Sequence, residues 1–271
     1  MTPVTEFPDT IRFYDVPGGL NFRDIGGYET ADGRRVRYGQ LFRSGLMSGF
    51  EDKAVEEIAA LGIRSVCDFR AREERDQHPS HWLAGRDILQ SVREDSDGSG
   101  DLLAFYRAVE AEPGSAREIM LRGYRTMPYA LAPSYRALFQ RLLAGETPLI
   151  FHCAGGKDRT GIAAALVLTA LGVPRAMVLR DYQTTDRLYD QLFAVMRAQV
   201  DGMMDLERNR AIWAPLLVCH PDYLNATFDE MDRRDGGVEA YLHAHAGVDA
   251  EAIQQLRATF TEPLQPGIRP S

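Results

Sequence analysis

Apolar and polar positions change their spacing several times along the chain, and each change marks a predicted strand or helix. The short apolar run at 149–151 follows Pro148 and predicts a buried strand. The next apolar stretch, 162–171, carries no charge and is rich in Ala and Leu, which predicts a buried helix. A glycine-rich loop joins this strand to this helix and contains the most informative polar residues of the chain.

The N-terminal half shows a similar alternation of strands and helices. Its predicted elements are a hairpin at 28–38 with its turn at Asp32-Gly33, a strand at 41–44, an amphipathic helix at 50–61 ended by Gly62, and a strand at 63–69. Strands that alternate with helices are typical of α/β folds. We therefore expect a central, mostly parallel sheet flanked by helices, in a single domain over residues 1–271.

The remaining pattern is helical, apart from one polar segment. Segment 84–128 holds a Ser/Gly/Asp-rich linker at 91–101 and weak helical patterns at 102–111 and 116–127. It could be a lid over the site or a mobile excursion of the surface. Clearer helices are predicted to begin at Ser134 and to cover 175–181, 185–200, 206–216, 222–232, 241–246 and 250–260.

The loop at 152–161 combines a thiol, glycines and an arginine. A glycine-rich turn into a helix N-terminus points backbone N–H groups at one spot, which suits a phosphate. Arg159, six residues after Cys153, offers a planar fork that matches two phosphate oxygens. Cys153 faces the helix N-terminus and a cation, surroundings that favour the nucleophilic thiolate. The pattern therefore predicts phosphoryl transfer to Cys153.

Other loops that begin with similar residues fit less well. A nucleotide-binding P-loop needs Ser or Thr after its lysine, whereas Asp158 follows Lys157. A zinc site needs paired Cys or His ligands, and His152 and Cys153 have no second pair nearby. Rhodanese-like loops also start with a cysteine, but without the five-residue spacing to Arg-Thr.

Composition restricts the partners and the compartment. The chain has 271 residues and 45% hydrophobic content, enough for a sizeable core. A net charge of −8 argues against a nucleic-acid surface. The longest uncharged apolar segment, 162–173, is shorter than the ~17–25 residues of a membrane helix, so no integral membrane association is expected.

The three cysteines form an odd count with no disulfide-framework spacing, which favours a reducing compartment. The N-terminus is neither basic nor apolar, so no conventional signal peptide is expected. A cytoplasmic location is the default expectation, with unconventional secretion left open. Cys219 and Cys67 are expected in the core. Cys67 could alternatively form a reversible disulfide that protects Cys153.

The Cys-x5-Arg-Thr loop preceded by His152 resembles the signature of the protein tyrosine phosphatase superfamily. Segments across nearly the whole chain resemble a bacterial branch of tyrosine and lipid phosphatases: 21–27, 41–45, 61–63 with 68–70, and 181–185. The resemblance implies one α/β domain with a helical lid from the middle segment. It implies hydrolysis of phosphotyrosine, often of phosphoserine or phosphothreonine, and of phosphoinositides. Inorganic phosphate is released, and neither a metal nor another cofactor is used.

This resemblance and the loop chemistry together predict roles for the loop residues. Cys153 attacks phosphorus, and Arg159 holds the equatorial oxygens together with backbone N–H groups of Ala154, Gly155, Gly156 and their neighbours. The Thr160 hydroxyl is expected to donate a hydrogen bond to the Cys153 sulfur, and His152 to orient the loop. Lys157, expected at the rim, is either solvated or contacts a second phosphate of the substrate.

The leaving oxygen needs a proton, and two carboxylic acids are candidates for supplying it. Asp158 lies inside the loop and is ranked slightly ahead of Asp68, which ends the neighbouring strand. Asp68 would then set the electrostatics beside Arg159 or share the task, and Arg70 is expected to bind substrate. The charged residues 72–75 are interpreted as a self-solvating loop.

Two alternative functions remain open from the sequence. A pseudophosphatase that binds phosphorylated ligands without turnover would be expected to lose Cys153, Arg159 or both carboxylates, and all are present. A redox-regulated protein that pairs Cys153 with Cys67 would explain the thiol, but it would not explain the arginine and the glycines.

Overall fold

The computed structural model describes residues 12–93, 108–109, 111–112, 115–199 and 210–264. Its strands are β1 (Arg12–Phe13), β2 (Arg23–Asp24), β3 (Arg34–Val36), β4 (Leu41–Ser44), β5 (Ser65–Asp68), β6 (Leu89–Val92), β7 (Leu149–His152) and β8 (Thr261–Pro263). Its α-helices are α1 (Asp52–Ala60), α2 (Arg72–Gln77), α3 (Ala116–Ala130), α4 (Ala132–Leu143), α5 (Asp158–Ala170), α6 (Arg175–Gln183), α7 (Tyr189–Gln199), α8 (Arg210–Leu217), α9 (Pro221–Arg234), α10 (Val238–Tyr241) and α11 (Ala250–Phe260). Short 3₁₀ helices cover His81–Leu83 and Thr184–Leu188, and a π-helical turn covers Leu242–Ala246.

Within these ranges, six strands form the central sheet in the order β1-β2-β4-β7-β5-β6. The four strands β4, β7, β5 and β6 are parallel to one another, whereas β1 and β2 run antiparallel at one edge. The predicted α/β fold with a mostly parallel sheet is therefore confirmed. β7 lies between β4 and β5, and His152 is in register with both Ser44 and Asp68. The residues that follow these strands consequently meet at one edge of the sheet, where ligands bind in such folds.

Burial on both faces explains the sequences of β7 and α5. All four residues of β7 are buried, as expected for a parallel strand covered on both sides. Every residue of α5 from Arg159 to Leu168 is also buried, so this helix lacks a polar face. It begins at Asp158 rather than at Ile162, because the polar end of the loop forms its first turn.

The segment predicted as a lid contributes to the core of the fold. Ser91 and Val92, assigned to a polar linker, lie in β6, which pairs in parallel with β5. The predicted helix at 116–127 is α3, and it buries Tyr124 completely. Residues 94–107, where the rest of the linker and the start of the next helical pattern were predicted, lie outside the described residues. The lid prediction is therefore untested there.

The hairpin turn at Asp32-Gly33 is confirmed, since Thr30 N–H donates to Arg34 O at 2.9 Å and Gly33 has a φ of +75°. β3 also pairs with β8, a contact between distant parts of the sequence that the analysis did not predict. In the C-terminal third, α7 begins at Tyr189 because residues from Thr184 form a 3₁₀ helix. No described helix has the length and apolar character needed to cross a membrane.

One buried ionic network joins the N-terminal strands to the helices. Asp181 on α6 accepts from Arg23 Nε at 3.2 Å, from Arg43 at 2.5 Å and from the Tyr28 hydroxyl at 3.1 Å. Both arginines are fully buried, and Asp181 is 1% exposed. Arg23 also donates to Asn21. The network thus fixes β2 and β4 against α6 and the loop that follows β7.

Asp181→Asn should lower the free energy of unfolding by about 3–5 kcal/mol, because two buried guanidinium groups would lose their counter-charge. Burial alone would raise the pKa of the Asp181 carboxyl, but Arg23 and Arg43 outweigh it and hold that pKa below its ordinary value. The stabilisation is therefore present above roughly pH 4 and is lost as the pH falls through the lowered folded-state pKa. Urea unfolding of both proteins across this pH range measures the effect.

Asp76→Asn is the matched control, since Asp76 is a surface residue whose ion pair with Arg72 is largely exposed. It should leave the unfolding midpoint unchanged. An Asp181→Asn protein as stable as the Asp76→Asn protein would contradict the structural importance of the network.

Candidate active site

The loop between β7 and α5 is fitted closely to the end of β4. Gly156 has a φ of +65°, and a Cβ there would lie 2.7 Å from Ser44 O and Gly45 N. A Cβ on Gly45 would in turn lie 2.8 Å from Ala154 O. Glycine is required at both positions because the two backbones touch.

The loop carbonyls are held by the surrounding protein, whereas several N–H groups are not. Gly156 O accepts from Asn21 Nδ2 at 2.9 Å and from Arg43 at 2.7 Å, and Ala154 O accepts from Leu46 N–H at 2.8 Å. No described residue accepts a hydrogen bond from the N–H of Ala154, Gly155 or Gly156. These donors lie beside the N-terminus of α5, so the loop has the arrangement of an anion-binding cradle.

Cys153 and Arg159 are brought together as predicted. Cys153 is a free cysteine, 2% exposed, at the carboxyl end of β7, and it interacts electrostatically with Arg159. The Arg159 fork donates to both oxygens of Glu74, at 2.5 and 2.8 Å, and to Phe69 O at 3.2 Å. Burial opposes the charge on Arg159, but Glu74 outweighs it and raises the pKa, so the guanidinium is permanently charged.

Glu74 was missed by the sequence analysis, which assigned residues 72–75 to a self-solvating loop. All four lie in α2, and Glu74 also accepts from Ala71 N–H at 2.7 Å. Burial would raise the pKa of Glu74, yet Arg159 and this N–H together lower it. Glu74 therefore stays ionised and orients the guanidinium. A glutamate three residues after a helix start is the local signal that could have indicated this side chain.

Asp68 lies beside the loop but is already paired. Its carboxylate accepts from Arg70 Nε at 3.0 Å and from Arg70 Nη2 at 2.7 Å, and it lies 3.5 Å from His152 Nε2. Burial disfavours the charge on Asp68, but His152 and Arg70 outweigh it and lower the pKa. Since burial also lowers the His152 pKa and keeps the ring neutral, Arg70 supplies the permanent charge. Asp68 is thus held as a carboxylate.

Arg70 and His152 both make contacts with the surrounding protein. Arg70 is 1% exposed and also donates to His78 O at 2.6 Å and to Ser80 Oγ at 3.2 Å. This geometry favours a structural role for Arg70 over the predicted contact with substrate. His152 Nδ1 lies 3.3 Å from Cys153 O, consistent with a residue that orients the loop.

Asp158 has one oxygen bound and the other uncommitted. Its Oδ1 accepts from the Tyr124 hydroxyl at 2.6 Å and lies 3.0 Å from Lys157 Nζ. No described residue donates to its Oδ2, and 30% of the side chain is exposed. Of the two candidate acids, Asp158 is therefore the one with an oxygen that no described residue occupies.

Lys157 is not the solvated rim residue that the sequence suggested as one possibility. It is 4% exposed, and its ammonium also donates to Val218 O at 3.3 Å. Burial would lower the Lys157 pKa, but Asp158 outweighs it and raises that pKa. The lysine therefore remains charged and stays against Asp158 Oδ1.

The hydroxyl of Thr160 has no hydrogen-bond partner among the described residues, Cys153 included. The expected hydrogen bond to the sulfur is thus not formed in this structure. Because a buried hydroxyl without a partner is unfavourable, this group remains available to a ligand.

The other two cysteines are buried, and burial raises the pKa of each thiol to about 12. Cys67 interacts with Arg141 and Ser91 rather than with Cys153. No group of His, Cys, Asp and Glu side chains in the described part of the chain is arranged to hold a metal.

Comparisons with known proteins agree with this geometry. The model of the tyrosine phosphatase family matches residues 14–262. A protein of Cupriavidus necator that carries the name of a tyrosine-protein phosphatase is 34% identical over 246 residues, covering 89% of this chain and 85% of that protein. The triple specificity protein phosphatase PtpB of Mycobacterium tuberculosis is 28% identical over 276 residues, covering 91% and 98%.

Among solved structures, TpbA of P. aeruginosa in complex with phosphotyrosine aligns with 82% of this chain and 98% of its own, at 16% identity and a TM-score of 0.39. The family assignment depends on the sequence matches, which cover most of the chain and confirm the resemblance seen in its motifs. The chain belongs to the tyrosine phosphatase family, in its bacterial branch, and is a cysteine-based phosphatase.

Proposed function

We propose that the chain hydrolyses phosphomonoesters through a cysteinyl-phosphate on Cys153. The observation that carries the proposal is the loop itself, where unbonded N–H groups lie next to a thiol and a charged arginine. Such a cradle stabilises the charge that develops on the equatorial oxygens of a transferring phosphoryl group. Glu74 keeps the Arg159 fork oriented before the substrate arrives, which reduces the reorganisation needed during the reaction.

In the first step, the Cys153 thiolate forms a bond to phosphorus while the bond from phosphorus to the leaving oxygen breaks. Asp158 Oδ2 gives its proton to that oxygen. In the second step, water attacks phosphorus and gives a proton back to Asp158 Oδ2. The sulfur–phosphorus bond breaks, and the thiolate and inorganic phosphate are released. The proposed role of Thr160 is to donate a hydrogen bond to the departing sulfur.

Asp158 is preferred to Asp68 as the acid because of their different surroundings. Asp68 is bound at both oxygens by a permanent cation, so it would have to lose that pair to carry a proton. Asp158 has a free oxygen and partial exposure. Asp68 then fixes Arg70 and His152 beneath the loop.

The proposed substrates are phosphotyrosine, phosphoserine or phosphothreonine in proteins, and phosphoinositides. The name of the mycobacterial relative includes triple specificity, which supports a broad range. Lys157 is the proposed contact for a second phosphate. Because its ammonium is buried against Asp158 and Val218 O, it would have to turn away from these partners to reach that phosphate.

Cys153→Ser should lower the turnover of 4-nitrophenyl phosphate by at least about 10³-fold, while phosphate and vanadate still bind to the cradle. Arg159→Lys should lower kcat/KM by about 10²–10³-fold, because a point charge cannot replace the two-pronged fork. Steady-state kinetics and vanadate titration measure both effects. Turnover retained by the serine protein would exclude the covalent mechanism.

Asp158→Asn should lower kcat/KM for phenyl phosphate, which has a poor leaving group, by about 10²–10⁴-fold. The loss for 4-nitrophenyl phosphate should be far smaller, since nitrophenoxide leaves without a proton. Asp68→Asn is the comparison, with similar losses on both esters because it disturbs Arg70. If only Asp68→Asn showed the selective loss, the assignment of the acid would be reversed.

Lys157→Ala should lower kcat/KM more for a polyphosphorylated phosphoinositide than for an aryl phosphate. The part of the loss that both substrates share reports the contact of Lys157 with Asp158. The additional loss on the phosphoinositide, called the excess, reports the contact of Lys157 with the second phosphate. The excess should shrink as salt screens the contact. Equal losses on both substrates at low salt would limit Lys157 to its contact with Asp158.

A further inference from the structure

Two tyrosine hydroxyls and the carboxyl group of Asp158 form a hydrogen-bonded chain next to the loop. The Tyr124 hydroxyl on α3 donates to Asp158 Oδ1 at 2.6 Å, and it lies 2.6 Å from the Tyr182 hydroxyl on α6. One hydroxyl has a single proton, so Tyr124 donates to the carboxylate and accepts from Tyr182. Both rings are almost completely buried, at 0% and 1% exposure.

Tyr124 has little freedom to leave this position. Its ring packs edge-on against Tyr182 and tilted against Tyr223, with centroid distances of 6.0 and 5.6 Å. Its backbone carbonyl accepts from the Thr227 hydroxyl at 2.7 Å. Burial and the neighbouring Asp158 raise the pKa of Tyr124 well above its ordinary value, so the hydroxyl remains a donor.

We propose that Tyr124 is a positioning residue for the general acid, which it holds by Oδ1 so that Oδ2 faces the leaving oxygen. The inference rests on the proposed role of Asp158. With Tyr124 and Lys157 both on Oδ1, rotation of the carboxyl group would break two contacts at once. The oxygen that exchanges the proton is thereby the same in both steps of the reaction. Tyr182 supports this arrangement by fixing the Tyr124 hydroxyl.

A leaving-group comparison tests the proposal. Tyr124→Phe keeps the ring and removes only the oxygen, so the core packing is preserved. We expect kcat/KM for phenyl phosphate to fall by about 10-fold, a fraction of the whole contribution of a general acid. The value for 4-nitrophenyl phosphate should stay within about 2-fold. The parameter kcat/KM is the right one because it reports the steps through release of the leaving group.

Tyr241→Phe is the matched control, since this residue is also completely buried and its hydroxyl donates to Pro128 O of the same helix α3 at 2.5 Å. It has no contact with Asp158 and should change neither ester. Tyr182→Phe provides a second variant, with a smaller selective loss of about 3-fold because Tyr124 still donates to Asp158. Equal losses on the two esters in Tyr124→Phe, or no loss on either, would overturn the proposal.

A double-mutant cycle separates this inference from the proposed function. If Tyr124 acts through Asp158, then Tyr124→Phe in an Asp158→Asn background should cause no further selective loss on phenyl phosphate. A further selective loss there would overturn the inference. Failure of the proposed function looks different, because Asp158→Asn alone would then show no dependence on the leaving group.

Discussion

The geometry of the loop between β7 and α5 depends on the carboxylate of Asp181. It neutralises Arg23 and Arg43, which come from neighbouring strands and could not otherwise be buried as charges. Arg43 then has a second donor available for Gly156 O. In a planar trans peptide, fixing a carbonyl in one direction turns the next N–H the opposite way. The buried ion pairs therefore act on the loop through the backbone, because Arg43 fixes Gly156 O and with it the orientation of the Lys157 N–H.

Charged side chains around the loop are arranged in ion pairs, and each pair determines which atoms of its members remain free. Glu74 holds Arg159 as a cation, and Arg70 holds Asp68 as an anion. Each of these groups is bound at two atoms and is thereby excluded from proton transfer. The pair of Lys157 and Asp158 differs, because it occupies one carboxylate oxygen only. The same type of ion pair thus binds both oxygens of one aspartate and leaves the other with the uncommitted oxygen that the proposed proton transfer requires.

The sequence predicted those features that depend on neighbouring residues and missed those that depend on distant ones. Spacing within one strand, turn and helix was enough to find Cys153 and Arg159, and the apolar run before them predicted β7. β6 was missed because it is an exposed edge strand, with Leu89 and Val92 in solvent and no regular alternation. A local capping pattern could have indicated Glu74, but the contact of Glu74 with Arg159 and that of Tyr124 with Asp158 join separate parts of the chain, and no local pattern records these contacts. The burial of Lys157 likewise depends on a carbonyl from the end of α8.

Different layers of the fold position the proposed nucleophile and the proposed acid. Cys153 follows β7, and the loop around it is held by side chains from the sheet and its N-terminal edge, Asn21 and Arg43. Asp158 is instead held from the helical layer, by Tyr124 on α3, with Tyr182 on α6 behind it. Because α3 packs against α9 through Thr227, the proposed proton transfer depends on contacts of the helical layer that do not involve the thiol or its loop.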